Sequence, residues 1–319
     1  MKYDKADAKA YARENFTGVW AAVMTPFHGP ELAVDEAGYR RNLEHWIGEL
    51  RLDGLFVGGK QAEAFSMSVQ ERKRHFELAI EVADSRCGII TSCSDTRLDT
   101  VLELARYSQD IGADYIVVHS PVLHFGADTD ETIYEYYRYL SEQLRIGIAM
   151  WNHPDCGYIM SPELCSRIAD LPNIVAIKYS VPRPQYAQLS RLAGDRIHVS
   201  TASEEEWFDN IVELGWRLYL CSSPPYLLQT AHDRRINEYT RLAFDGRIEE
   251  ARRVRDSLEP ARQAFKRSRP AGKPQPHSKY WMELLGQVGG PCRRPLLPLT
   301  DQERATIRDA FAESGLAPA

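Results

Sequence analysis

Asn173-Ile174-Val175-Ala176-Ile177-Lys178-Tyr179-Ser180 is a short β-branched apolar run that ends in a lysine, with polar residues following at once. Apolar side chains on both faces mark a buried parallel strand. A strand that ends this way delivers an amine to the rim of a sheet or barrel. An apolar wall there disfavours the ammonium and lowers its pKa from an ordinary value of about 10.4. A neutral amine adds to carbonyls, and a Schiff base is the usual product. The plain alternative is a lysine snorkelling from a strand end to a salt-bridge partner. The flanking sequence separates the two.

Seven further apolar runs flank this one: residues 18–27 (GVWAAVMTPF), 54–59 (GLFVGG), 88–93 (GIITSC), 113–121 (ADYIVVHSP), 147–154 (GIAMWNHP), 197–202 (IHVSTA) and 217–225 (RLYLCSSPP). Helical stretches lie between them. Asp35 can cap one through Tyr39, Leu43 and Trp46, and Ser68-Val-Gln-Glu71 is a capping box that opens another. Others cover 96–111, 130–144 and 205–214, and one starts at Ser161-Pro-Glu163. Eight strands alternating with helices predict an α/β fold, a (β/α)₈ TIM barrel over residues 18–229. A doubly wound open sheet would carry G-x-G-x-x-G after its first strand, and Thr25-Pro-Phe-His-Gly offers nothing of that kind. Residues 1–17 read as an N-terminal arm, helical or mobile. Residues 230–319 read as a C-terminal helical extension, with helices over 234–243, 248–265, 277–285 and 300–313 and a loop over 268–276.

The chain has 319 residues, is 44% hydrophobic and 26% charged, and carries a net charge of −6. That balance gives no footprint for nucleic acid or an anionic membrane. No apolar run is long enough to span a bilayer, and the first residues lack the apolar core of a signal peptide. Six scattered cysteines make no C-x-x-C pair and no zinc spacing with the histidines, so a cytoplasmic location and no metal site are expected.

Barrel enzymes work at the carboxyl ends of their strands. The residues collected there are small and polar: Thr25, Gly59-Lys60-Gln61, Ser92 to Ser94, His119-Ser120, Trp151-Asn152-His153, Lys178-Tyr179, Thr201 to Glu204 and Cys221-Ser222-Ser223. Only Glu63, Asp155 and Glu204 supply carboxylates, too scattered for a metal cage or a facing glycosidase pair. One lysine among hydroxyls and amides suits iminium chemistry.

The order of motifs resembles the class I lyases of the dihydrodipicolinate synthase and N-acetylneuraminate lyase type, from about residue 18 to about residue 299. The matching pieces are GVWAAVMTPF, DGLFVGG followed by EAFSMSVQER, GADYIVVHSP, WNHP, NIVAIKYS and KYWMELLGQVGGPCRRPLLPL. The resemblance implies Schiff-base chemistry at Lys178, no cofactor, and a homo-oligomer, tetramer or dimer. It also shows departures. The family's G-T-T-G-E, whose hydroxyls and backbone N–H groups hold a 2-oxo acid, is here Gly59-Lys60-Gln61-Ala62-Glu63. Its acid–base tyrosine on strand five is Trp151. The tyrosine lent by a neighbouring subunit falls near Val122. The synthase's arginine after strand five has no counterpart in Asp155-Cys156-Gly157-Tyr158.

The expected function is therefore a class I aldolase or hydratase-aldolase acting on a 2-oxo acid such as pyruvate and an aldehyde, and not dihydrodipicolinate synthesis itself. The candidate catalytic residues are Lys178, Trp151 and His153, with His119, Tyr158, Tyr179 or water as further proton carriers. The candidate substrate-binding residues are Gly59, Lys60, Gln61, Ser120, Asn152, Thr201 and Ser222. Trp151, Trp20, Phe65 and Tyr226 hint at a bulky, weakly polar aldehyde. The same losses would also follow if the barrel had become a non-catalytic binder of a 2-oxo acid. A phosphate-binding isomerase is the weakest reading, because no glycine-rich loop follows strands seven or eight.

Overall fold

The structure is a computed structural model that describes residues 1–123 and 129–317. Eight parallel strands form one sheet: β1 (Gly18–Ala22), β2 (Gly54–Val57), β3 (Gly88–Ser92), β4 (Tyr115–His119), β5 (Gly147–Asn152), β6 (Ile174–Tyr179), β7 (His198–Ser200) and β8 (Leu218–Leu220). Their order is β8-β1-β2-β3-β4-β5-β6-β7. Across the remaining seam the Leu220 N–H donates to Ser200 Oγ at 2.8 Å. The sheet thus closes on itself as a (β/α)₈ barrel. All eight apolar runs became strands, each shorter than its run because the polar or proline-bearing ends turn into the rim loops. Phe27–His28 and Ala33–Val34 add a small antiparallel hairpin after β1.

The helices start where the capping chemistry places them. Asp35 accepts from Gly38 N at 2.8 Å and opens Glu36–Glu44. The capping box Ser68/Glu71 opens Val69–Ala83. The helix after β6, Arg183–Ala193, follows Pro182 and carries Pro184 in its first turn, where a missing N–H costs nothing. In the extension the single helix expected over 248–265 is two, Ile248–Asp256 and Glu259–Arg267. Pro260 has no N–H to continue the first. The expected loop over 268–276 ends early, because Pro274 already begins the helix Pro274–Leu284. Asp301–Glu313 closes the described chain on a second capping box, Thr300/Glu303. Pro318 and Ala319, the end of the expected extension, lie outside the described residues. Among the described residues no helix is long and apolar enough to cross a membrane.

The N-terminal segment is a plug. Helix Ala8–Asn15 lies across the amino end of the barrel, and Ala8, Ala12 and Phe16 join the cluster formed by Trp20, Tyr115, Val175 and Leu218. Phe16 stacks on Tyr115 at 4.3 Å between ring centroids. The bottom layer has room for these rings because β2 and β3 begin with glycine. A Cβ on Gly54 or Gly88 would stand 2.2 or 2.1 Å from the Trp20 indole.

One irregularity sets the face of β6. Ile148 pairs with Ile174, but Ala149 pairs with Ala176, so Val175 is an extra residue. This bulge puts Val175 and Ala176 both inside and reverses the alternation beyond them. Without it Ile177 would face Trp151. With it Lys178 does.

Candidate active site

Near the carboxyl ends of the strands, four side chains are register neighbours on successive strands. His119 is in register with Trp151, Trp151 with Lys178, and Lys178 with Ser200. Their order on the barrel wall follows from strand adjacency alone. Lys178 is 2% exposed and has no carboxylate partner among the described residues; its Nζ donates to the Cys221 carbonyl at 2.8 Å. The rings of Phe56 and Trp151 lie 5.0 and 5.8 Å from the amine. Burial pushes its pKa down to about 8, the Cys221 side chain opposes this, and the positive charge of Lys60 adds to it. The Cys221 thiol, raised by burial to about 12, stays neutral.

The two histidines of the rim hold their protons differently. His119 Nδ1 lies 2.7 Å from the Ser120 carbonyl, so that nitrogen carries the hydrogen and Nε2 is left as an acceptor. His153 Nδ1 accepts the Asp155 N–H at 3.1 Å, so its hydrogen is on Nε2. Both pKa values are lowered, chiefly by burial, and for His153 also by Lys60 and Lys178. Both rings are therefore neutral near pH 7. Trp151 is 8% exposed, and its Nε1 hydrogen has no acceptor among the described residues.

Each rim carboxylate is matched to a cation of its own. Lys60, half exposed, crosses the mouth to Asp155. Glu204 is gripped by Arg262 Nε and Nη2 at 2.5 and 2.8 Å and by the Tyr239 hydroxyl at 2.7 Å. Glu63, fully buried, pairs with Lys279 at 2.6 Å and accepts the Arg293 N–H at 2.8 Å. Arg293 also bonds Ser66 O and the Glu71 carboxylate. The segment around Gly-Gly-Pro-Cys-Arg-Arg-Pro thus clamps the loop after β2 from the far end of the chain.

The expected binding residues divide into two groups. Gln61 and Ser222 line a cavity of about 360 Å³ between the ends of β7 and β8 and the C-terminal helices. It shares its wall with the residue next to Cys221, the lysine's acceptor. Ser203, Ser223, Ser278 and Gln275 add polar groups to a wall otherwise formed largely by Met24, Leu227, Leu228 and Phe265. Lys60 guards the mouth, and Thr201 follows Ser200 in the buried rim. Gly59 lies directly over Phe56, whose ring a Cβ would meet at 2.8 Å. Asn152 and Ser120, by contrast, are fully buried. The Asn152 amide donates to Ser120 Oγ and Tyr158 O and accepts Met160 N, so it shapes the loop after β5. Glu204 is likewise occupied, as an anchor for the helices. Of the four residues behind the hint of a weakly polar aldehyde, Trp151 alone stands beside Lys178: Trp20 is at the opposite end, Tyr226 is buried with its hydroxyl on Ala22 O, and Phe65 is 58% exposed. The Tyr179 and Tyr158 hydroxyls are bonded to Met160 O and Asp130.

Phe56 escaped the sequence reading, although its alternation with the glycines of GLFVGG marks it as inward. Lys279 and Arg293 lay inside a quoted motif, but nothing local tells that they meet Glu63.

Comparison with known proteins agrees with this architecture. The model of the dihydrodipicolinate synthetase family matches residues 15–314. The 4-hydroxy-tetrahydrodipicolinate synthase of Thermotoga petrophila is 26% identical over 311 residues, covering 94% of this chain and 99% of that protein. The crystal structure of dihydrodipicolinate synthase from Thermotoga maritima superposes with a TM-score of 0.82 at 25% identity, over 94% and 99% of the two chains. CdNal from Clostridium difficile, solved in complex with mannosamine, has a TM-score of 0.81 at 22% identity over 93% and 99%, a likeness of fold.

Proposed function

Because the chain belongs to the dihydrodipicolinate synthetase family, whose members are lyases, we propose that it is a class I aldolase in which Lys178 condenses with a 2-oxo acid such as pyruvate. The observation that carries this reading is the buried amine with no carboxylate partner among the described residues and a pKa of about 8. At pH 7.4 about a fifth of such an amine is neutral, against about one part in a thousand of an ordinary lysine. Nζ attacks the ketone carbon, the carbinolamine loses water, and the iminium takes up the electron pair when the bond beyond C3 breaks; in the forming direction loss of a C3 proton gives the enamine, which returns the pair to the aldehyde carbon. No cofactor is needed for these steps.

The remaining groups have roles consistent with their geometry. Lys60 supplies positive charge for the 2-oxo acid's carboxylate. The unmatched Trp151 N–H orients a substrate oxygen where the family has a tyrosine. His119 Nε2 accepts a proton in place of that tyrosine and returns it once protonated, while the neutral His153 donates only a hydrogen bond from Nε2–H to a substrate oxygen. The cavity beside Ser222, where hydroxyls and amides sit among Leu227, Leu228 and Phe265, suits an aldehyde with both polar and apolar parts. Trp151, and the lack of an arginine among residues 155–158, favour a reaction other than that of the synthases. Assembly as a tetramer or dimer rests on the family resemblance. The six free thiols suit a reducing compartment such as the cytoplasm.

The test is reduction of the protein with borohydride in the presence of pyruvate and a panel of other 2-oxo acids, followed by intact mass and peptide mapping. A reduced adduct on Lys178, absent in Lys178→Met, is expected. No adduct with any 2-oxo acid would leave a binding protein in place of an enzyme.

A further inference from the structure

At the amino end of the barrel, opposite Lys178, a second cleft of about 260 Å³ lies between the N-terminal helix and the starts of β7 and β8. Four cationic side chains reach it: Lys9 and Arg13 from the helix, Arg196 before β7, and Arg217 before β8. No aspartate or glutamate is among its lining residues. Arg196 is matched by Asp170, with Asp195 3.6 Å from its Nε. The other three make no ion pair among the described residues: Lys9 Nζ donates to Ala169 O at 2.5 Å, Arg13 to Asp195 O, and Arg217 lies 3.9 Å from the Phe244 ring. Each of the two arginines uses few of its five donors in this way. The charges converge. Burial lowers the pKa of the half-buried His198 ring, its bond to Ala12 O opposes this, and Arg13 and Arg217 both add to it; burial lowers that of Lys9 as well, Asp170 opposes this, and Arg196 adds to it. The floor between them is apolar, with Val175 and Trp216 both nearly fully buried.

Like charges brought to one cleft repel, and a bound anion removes that cost. Arginine in a pair presents the planar donors that oxyanions accept. We propose that this cleft binds a small organic anion carrying two or more negative charges, its oxyanion groups on Arg13, Arg217 and Lys9 and its carbon body against Trp216 and Val175. Such a ligand would fasten the N-terminal plug to β7 and β8. The site is separate from the Lys178 chemistry and does not depend on it.

Calorimetric titration of the full chain with citrate and with pyrophosphate, at constant ionic strength and with chloride as the reference salt, tests this. Saturable binding of at least one of the two, one per chain, is expected, and the pair distinguishes carboxylate from phosphate preference. Arg13→Ala/Arg217→Ala should weaken it by about tenfold or more, since two charge-assisted hydrogen-bond donors are lost. Arg217→Gln is the milder variant should the double one fold poorly, and Lys266→Ala, at the opposite end of the barrel, should leave binding unchanged. No saturable heat from either anion, or a titration indifferent to the arginine substitutions, overturns the proposal. Pyruvate trapping at Lys178 should persist in every variant.

Discussion

Lys178 is held in a state that costs stability. Its folded pKa of about 8 lies below its unfolded value, so the unfolded chain binds more protons and stability rises with pH across the interval between them. Below pH 8 the full cost, about 3 kcal/mol, is present; it vanishes as pH climbs past the unfolded value. Lys178→Met should therefore melt several degrees above the wild type at pH 7, with the difference shrinking toward pH 10.5, as differential scanning calorimetry would record. A lower melting temperature at pH 7 would show that the amine is well solvated after all. Lys60 makes a second, smaller prediction. Its charge lowers the Lys178 pKa, so Lys60→Met should move the acidic, rising limb of the reaction's pH profile to higher pH. The same variant should raise the KM for the 2-oxo acid about tenfold, through loss of one charge-assisted contact, with a smaller effect on kcat. The candidates at this scale were legible in the sequence by chemical type. Their partners were not: Asn152 reads as a binding amide until its three bonds to Ser120, Tyr158 and Met160 are seen.

At the scale of elements, the eight strands were legible because a parallel strand buried on both faces must be apolar throughout. The side of β6 on which the lysine emerges was not. The run Ile-Val-Ala-Ile-Lys has no glycine or proline to announce a bulge, yet the extra Val175 decides between Ile177 and Lys178 as the inward residue. The helix break at Pro260 and the helix start at Pro274 were misjudged for one reason: proline is favourable in a first turn and disruptive later, and the sequence alone does not say which turn it occupies. The glycines that open β2 and β3 carry a direct test. Gly54→Ala drives a methyl into the Trp20 indole and should cost about 1–3 kcal/mol by chemical denaturation. Trp20→Leu should be costly alone, yet the double variant should lose clearly less than the sum of the two. Strict additivity would mean that the two positions do not share the space.

For the molecule as a whole, barrel and extension are not independent. Trp281 donates to Leu227 O, Gln287 bonds both Trp46 and Tyr226 O, and Arg262 holds Glu204. A chain cut after residue 229 exposes these partners, and circular dichroism should find it unfolded. The Glu63–Lys279 pair is the sharpest case, since both side chains are 0–1% exposed. Lys279→Met strands a buried carboxylate and should cost about 3–5 kcal/mol, while Glu63→Gln/Lys279→Met should recover most of that. Neither half of the pair could be matched from sequence, because 216 positions separate them and each has nearer charges to choose from.

That pairing also sets an order of events during synthesis. The loop bearing Lys60 and Gln61 leaves the ribosome early, but Arg293, one of the groups that fix its shape, is translated 230 residues after Glu63, and Lys279 shortly before it. The strands can gather while the chain is still growing. The mouth that receives substrate takes its final form only once the closing segment has emerged, so a nascent or prematurely terminated chain would carry the reactive amine without the doorway that selects what reaches it.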